Sequence, residues 1–252
     1  MTTRFVHLRV LALSAVLIAA SAGLMAARAD IYVVESSIAA IAAGSRLADS
    51  ATIAIPAGGH IRAVLPSGKT QTIRGPFNGP VADLAKGQAR NEGVLTWIRS
   101  ILETGGSKEV TPGATRSIGR ESARPRTGFS WSAVPVADGA VCVEKGAKLQ
   151  LVRAPSARPD RVTVVDMANA VRGEAQWEAG SDVAAWPATV APRSDAIYHL
   201  LLSDRPQRQV TLRVLERLPA DGDVLTELHR LGCKSQFEAW VREKLAASKR
   251  GS

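Results

Sequence analysis

A mainly β fold with accessory helices follows from three observations. Apolar and polar residues alternate in short runs from Ile31 to Phe77 and again from Phe129 to Leu218, with Gly, Pro and Asp between the runs. Period-2 alternation bounded by such residues marks half-buried strands. Only two windows, 83–104 and 219–252, change to the 3.6-residue spacing of amphipathic helices. The third observation is bulk: 252 residues, 46% of them apolar, suffice for a core divided over one or two domains.

The chain opens with Arg4 and Arg9, an uncharged stretch from Val10 to Ala27, and the small residues of Ala27-Arg28-Ala29. That layout predicts a secretory signal peptide over 1–29, cleaved before Asp30. An uncleaved membrane anchor is the alternative, because the uncharged stretch approaches spanning length. Its Ser, Gly and Ala content makes it only moderately apolar, which favours cleavage. The expected location is therefore periplasmic or secreted, with membrane contact only through this segment if it is retained.

A first domain is expected over 30–106. Ile31-Tyr-Val-Val-Glu35 reads as a strand, whereas Ser36 to Ala43 suits neither period. Ile53 and Ile55, then Ile61, Ala63 and Leu65, then Ile73 mark further strands. Pro66-Ser67-Gly68-Lys69 forms the hairpin turn before Ile73, with Gly68 free to take positive φ. Chain breakers from Gly75 to Pro80 close the β-unit. Within 83–104, Val94, Leu95, Trp97, Ile98, Ile101 and Leu102 then build one apolar helix face, stopped at Gly105-Gly106.

In this region Gly44, Leu47, Ile53, Pro56, Gly58, Gly59, Leu65, Gly68, Gly75 and Pro76 follow a pattern of turns and apolar spacing. By that pattern, residues 36–80 resemble the periplasmic FecR-type domain. The resemblance implies a β-rich module used in envelope proteins, among them regulators that sense periplasmic signals. The members that control a sigma factor do so through a cytoplasmic segment. Here only about nine residues precede the uncharged stretch, so that half of the family's function is not carried over.

Residues 107–128 shift to Thr, Pro, Gly, Ser and Arg, including Arg116, Arg120, Arg124 and Arg126, and read as a flexible basic linker. No aromatics interleave with the arginines to stack bases, and export argues against a nucleic-acid partner. Beyond it, strands are expected at 129–133, 140–144, 148–153, 161–166, 174–177, 197–203 and 209–215. Short strands with turns between them suggest a β-sandwich of immunoglobulin-like shape over 129–218, plugged by Trp131, Trp177 and Trp186.

A helical hairpin is expected over 219–252. Asp221 or Asp223 can cap a helix carrying Val224, Leu225, Leu228 and Leu231, which Gly232 ends. Ser235-Gln-Phe-Glu238 matches a capping box and opens a second helix with Phe237, Trp240, Val241 and Leu245 on one side. Helices this short are marginal alone, so their stripe is expected to dock on the second β-domain.

Two cysteines, Cys142 and Cys233, lie in the part expected to be exported. An even count in an oxidising compartment predicts a Cys142–Cys233 disulfide, two unrelated buried thiols being the alternative. If Val141 and Val143 face a core, Cys142 faces the other way, and the bond would pin the helical hairpin onto a sheet.

No motif for catalysis, a cofactor or a metal emerges. Ala63-Val-Leu-Pro-Ser-Gly68-Lys69-Thr70 loosely fits a P-loop, but phosphate binding there needs a helix starting at the lysine, and the residues that follow alternate. His60, His199 and His229 are not at metal-ligand spacing from one another or from cysteine. Glu174 and Glu178 fall in a strand-and-turn region, and G-x-S-x-G is absent. The formal charge of +9 falls to +6 once Arg4, Arg9 and Arg28 are removed with the leader. The expected function is a non-enzymatic periplasmic binding or sensing module, whose partner is another envelope protein or an anionic envelope component. A structural envelope scaffold, and an enzyme whose residues converge only in three dimensions, are the alternatives.

Overall fold

The computed structural model describes residues 30–104, 128–203 and 205–251. The expected signal peptide, and the expected linker up to its last residue, lie outside them. The run Ile31-Tyr-Val-Val34 is apolar at every position because its strand is covered on both faces. This is β1 (Ile31–Ser36), which sits between β2 (Arg46–Leu47) and β4 (His60–Val64) in an antiparallel sheet of order β2-β1-β4-β5, with β5 at Thr70–Arg74. Ile31 and Val33 join Ile61, Ala63 and Ile73 on one face, against Ile53 and Ile55 of β3 (Thr52–Ile55). Tyr32, Val34 and Val64 point to the other face.

The expected hairpin turn joins β4 to β5: Leu65 N–H donates to Lys69 O at 2.8 Å, and Gly68 has φ +83. The chain breakers after it do not end the β-unit. Phe77–Pro80 forms β6 and pairs with β3, from Ile55↔Phe77 to Thr52↔Pro80. Pro80 fits because it ends a strand at the margin of a two-stranded sheet, where no inner ladder bond is lost. The helical window is likewise divided into α1 (Val81–Ala85) and α2 (Glu92–Glu103), with Gly87 at φ +73 between them. Asn91 caps α2, its side chain accepting the Val94 N–H at 3.2 Å.

Eight strands follow among the described residues. They are β7 (Ala133–Pro135), β8 (Gly139–Glu144), β9 (Gln150–Val152), β10 (Asp160–Asp166), β11 (Val171–Trp177), β12 (Val183–Ala185), β13 (Ile197–Leu202) and β14 (Arg208–Leu215). One sheet runs β11-β10-β13-β14-β8 and a smaller one β12-β9-β7. Their facing sides share a core that includes Val141, Val143, Leu151, Val164, Trp177, Trp186, Tyr198 and Leu212. The strand expected at 129–133 is displaced to Ala133–Pro135. Phe129 and Trp131 instead stack edge-on at 4.9 Å and pack against the helices. The short β12 was not expected from the sequence.

The chain ends in α3 (Val224–Arg230) and α4 (Lys234–Gly251), with Gly232 at φ +75 between them. Ser235 does not cap α4 but lies inside it. The helical bond from Phe237 N–H to Cys233 O, at 3.0 Å, already starts the helix before that serine.

The hairpin also does not dock on the second β-unit alone. Phe237, Trp240 and Val241 of α4, Leu225 and Leu228 of α3, and Leu95 and Ile98 of α2 form one buried cluster. That cluster also holds Tyr32, Val34 and Val64 from the first sheet and Cys142 and Leu215 from the five-stranded sheet. The helices are thus a middle layer between two pairs of sheets, and the fold is mainly β with helices between. Ser36 N–H donates to Ser248 Oγ at 2.9 Å and Thr70 Oγ1 to Asp221 O at 3.1 Å. Arg62 pairs with Asp221, its guanidinium 5.3 Å from the Trp240 ring centre.

Candidate functional site

Alternation in β8 sends Val141 and Val143 into the core between the sheets and Cys142 into the helical cluster. Cys142 and Cys233 lie at disulfide-bonding distance, Sγ to Sγ 1.97 Å and Cα to Cα 5.8 Å. One turn into α4, Gln236 (2% exposed) completes the junction. Its Oε1 accepts the Cys142 N–H at 2.6 Å, and its Nε2 donates to Cys142 O at 2.6 Å and Ser130 O at 3.3 Å. β8 is the last strand of its sheet, so its outward N–H and C=O need such a partner once the helix covers them. The cysteines were legible in the sequence. Gln236 was not, since a glutamine beside an apolar stripe carries no local signal.

The remaining residues singled out from the sequence do not come together. His60 begins β4 with Nε2 3.7 Å from Glu35 Oε1, and His199 Nδ1 meets Gln207 Nε2 at 2.9 Å on β13. His229 stacks edge-on against Trp97, ring centres 4.7 Å apart, in the helical layer. Lys69 is followed by β5 rather than a helix, and its Nζ pairs with Asp223 at 2.9 Å. Glu174 is within β11, and Glu178 accepts from Gln176 Nε2 at 3.2 Å. Trp177 and Trp186 are buried core residues, and the Trp177 indole donates to Leu151 O at 3.2 Å. Among the described residues, no group of three or more His, Cys, Asp or Glu is placed to hold a metal ion.

What the fold does present is the free end of the five-stranded sheet, where β10 turns into β11. The turn is held by Asp166, which is 3% exposed. Its carboxylate takes the Ala168 N–H at 3.0 Å, the Asn169 amide at 3.0 Å, and the Arg193 guanidinium at 2.9 and 2.7 Å. Burial works against the charge, but the Ala168 N–H, Arg193 and Asn169 outweigh it and hold the carboxyl below its ordinary pKa. Arg193 reaches there from a corner fixed by Tyr198, whose hydroxyl donates to Ala191 O at 2.8 Å and accepts from Arg193 N–H at 2.9 Å. Burial raises the Tyr198 pKa, keeping that hydroxyl protonated.

At this tip lie the exposed large apolar residues Met167, Val171 and Ile197, and a fourth, Leu201, sits farther along β13 opposite Thr163. Beyond them β11 is the last strand of the sheet, and no described strand pairs with its outer edge. An open depression of about 460 Å³ runs beside it, lined by Thr163, Arg172, Gly173, Glu174, Pro187, Ala188 and Thr189. A second depression, of about 400 Å³, lies at the β4–β5 turn beside Ser67, Lys69 and Gln88. The β11 edge offers backbone donors and acceptors, apolar area and both signs of charge, which is the equipment of a strand-adding binding surface.

No family model, curated protein or solved structure matches the chain. Among the described residues, no helix is long and apolar enough to cross a membrane.

Proposed function

We propose that the chain is an exported protein of the bacterial envelope, a non-enzymatic binding or sensing module that joins a FecR-like β-unit to an immunoglobulin-like sandwich. The observation that carries the binding reading is the β11 edge, with its flanking depression and the exposed Met167 and Val171 at its tip. Export is supported by the Cys142–Cys233 bond, since a structural disulfide between fully buried cysteines suits an oxidising compartment.

The immunoglobulin-like reading draws on the facing sheets, on β8 lying parallel to the final strand β14, and on the Tyr198 hydroxyl bonding back to Ala191 O. The FecR-like reading draws on Gly44, Gly58 and Gly68, at φ +91, +80 and +83, holding turns around the buried Ile53 and Leu65.

The mature N-terminus, read by mass spectrometry from the envelope fraction, is expected to be Asp30. A cytosolic chain that retains Met1 would refute export. A photo-crosslinking residue at position 174 should capture an envelope partner that the same group at the exposed Lys148 does not. Equal capture at both positions would refute the β11 surface.

A further inference from the structure

We infer that the outer edge of β11 pairs antiparallel with β11 of a second copy of this chain, joining two five-stranded sheets into one. The inference rests on β11 being the binding surface and names its occupant. Arg172 O accepts from Thr189 Oγ1 at 3.4 Å, on the side away from β10, so the Arg172 peptide groups face outward. Antiparallel alternation then turns Glu174 and Gln176 outward as well.

A continuous sheet needs residues of like facing opposite each other across the two-fold axis, which leaves few registers. Centring the axis on Arg172 or on Glu174 sets like charges face to face. Centring it on Gly173 sets Arg172 of each copy against Glu174 of the other, twice. Arg172 and Glu174 are both exposed, and neither forms an ion pair among the described residues.

The same register makes Arg172 and Glu174 the hydrogen-bonded pair, consistent with their outward peptide groups. It brings the two Gly173 residues to the closest approach between the strands, each glycine leaving room on its own side for Pro187, Thr189 and Val190 of the same copy. The exposed Val171 falls opposite the second copy's Ala175 and gains cover there. Thr189 must release Arg172 O, and a bond of 3.4 Å at an exposed site is at the weak limit.

Sedimentation equilibrium of the disulfide-bonded mature chain, from micromolar to millimolar, tests this. A monomer–dimer equilibrium is expected. Arg172→Glu or Glu174→Arg alone turns both cross-strand pairs repulsive and should weaken it about tenfold. The double variant R172E/E174R restores both pairs with the signs exchanged and should recover dimerisation. Glu174→Pro removes an outward N–H that the folded monomer does not use, and should abolish the dimer while circular dichroism stays unchanged. A monomer throughout, or a dimer indifferent to the single reversals, overturns the inference. If the chain is monomeric yet still captures an envelope partner through position 174, the binding surface stands and only the occupant falls.

Discussion

Replacing Gln236 with leucine keeps the bulk of the side chain and removes both groups that close the β8 edge. Cys142 N–H and C=O, each held at 2.6 Å, then lose their partners behind a position only 2% exposed. An unsatisfied buried donor or acceptor costs about 1–3 kcal/mol, so the two together cost about 2–6 kcal/mol. Total stabilities are commonly about 5–15 kcal/mol, so this is a large fraction of what holds such a chain folded. With each kcal/mol worth about 2–4 °C at this length, the thermal midpoint should fall on the order of 10 °C. Urea and thermal unfolding of the disulfide-bonded mature protein measure it, with an unchanged denaturant slope as the sign that the fold is kept. Gln236→Glu separates the two bonds: ionised, it still accepts from the N–H but faces Cys142 O with no proton. Its deficit should therefore shrink on acidification, when the acid form can donate again. A loss below about 1 kcal/mol for Gln236→Leu would refute the reasoning and mean that water or the helix itself satisfies the edge.

Three further outcomes are expected. Reducing the Cys142–Cys233 bond, which spans a sequence separation of 91, should cost about 4.5 kcal/mol by chain entropy. Because α4 also covers β1, hydrogen exchange should quicken at Tyr32 and Val34 together with α4, and exchange confined to α4 would contradict the shared core. Asp166, held below its ordinary pKa against the cost of its burial, stabilises the fold above the unfolded carboxyl value of about 3.9, and that stability is lost as pH falls through the folded value. Asp166→Asn should therefore flatten the fall in urea midpoint below about pH 4, and an unchanged acid limb would count against the Arg193 pairing. Tyr198→Phe removes the bonds to Ala191 O and Arg193 N–H and should cost about 1–3 kcal/mol, read from the urea midpoint.

Strand periodicity made β1, β4, β8, β10, β13 and β14 legible because each has a face that stays apolar over several residues. The three residues of β12 are too few to show a period, and β6 is written in Phe-Asn-Gly-Pro, whose composition signals a turn until its pairing with β3 is known. The disulfide was readable because only two cysteines exist. Gln236, the corner at Tyr198 and the Asp166–Arg193 pair depend on residues that only the folded chain brings together, Asp166 and Arg193 being 27 positions apart. The middle position of the helices is hidden in the sequence for a related reason. An apolar stripe states that it must be covered, but not by how many partners. The doubly apolar run of β1 was the available hint that its second face is covered as well.

The helical layer also gives the fold a temporal order. Tyr32 and Val34 are among the first described residues to be synthesised, yet α3 and α4, which cover them, are among the last. Until Val241 has emerged, the outward face of the first sheet has only α2 to shield it. Growing from its N-terminus, the chain can close the β3–β6 side of that sheet early, but the middle layer must wait for the C-terminal end. A chain cut short after β14 would therefore carry two separately formed β-units with unsealed apolar faces, which makes the final helices the step that commits the whole molecule.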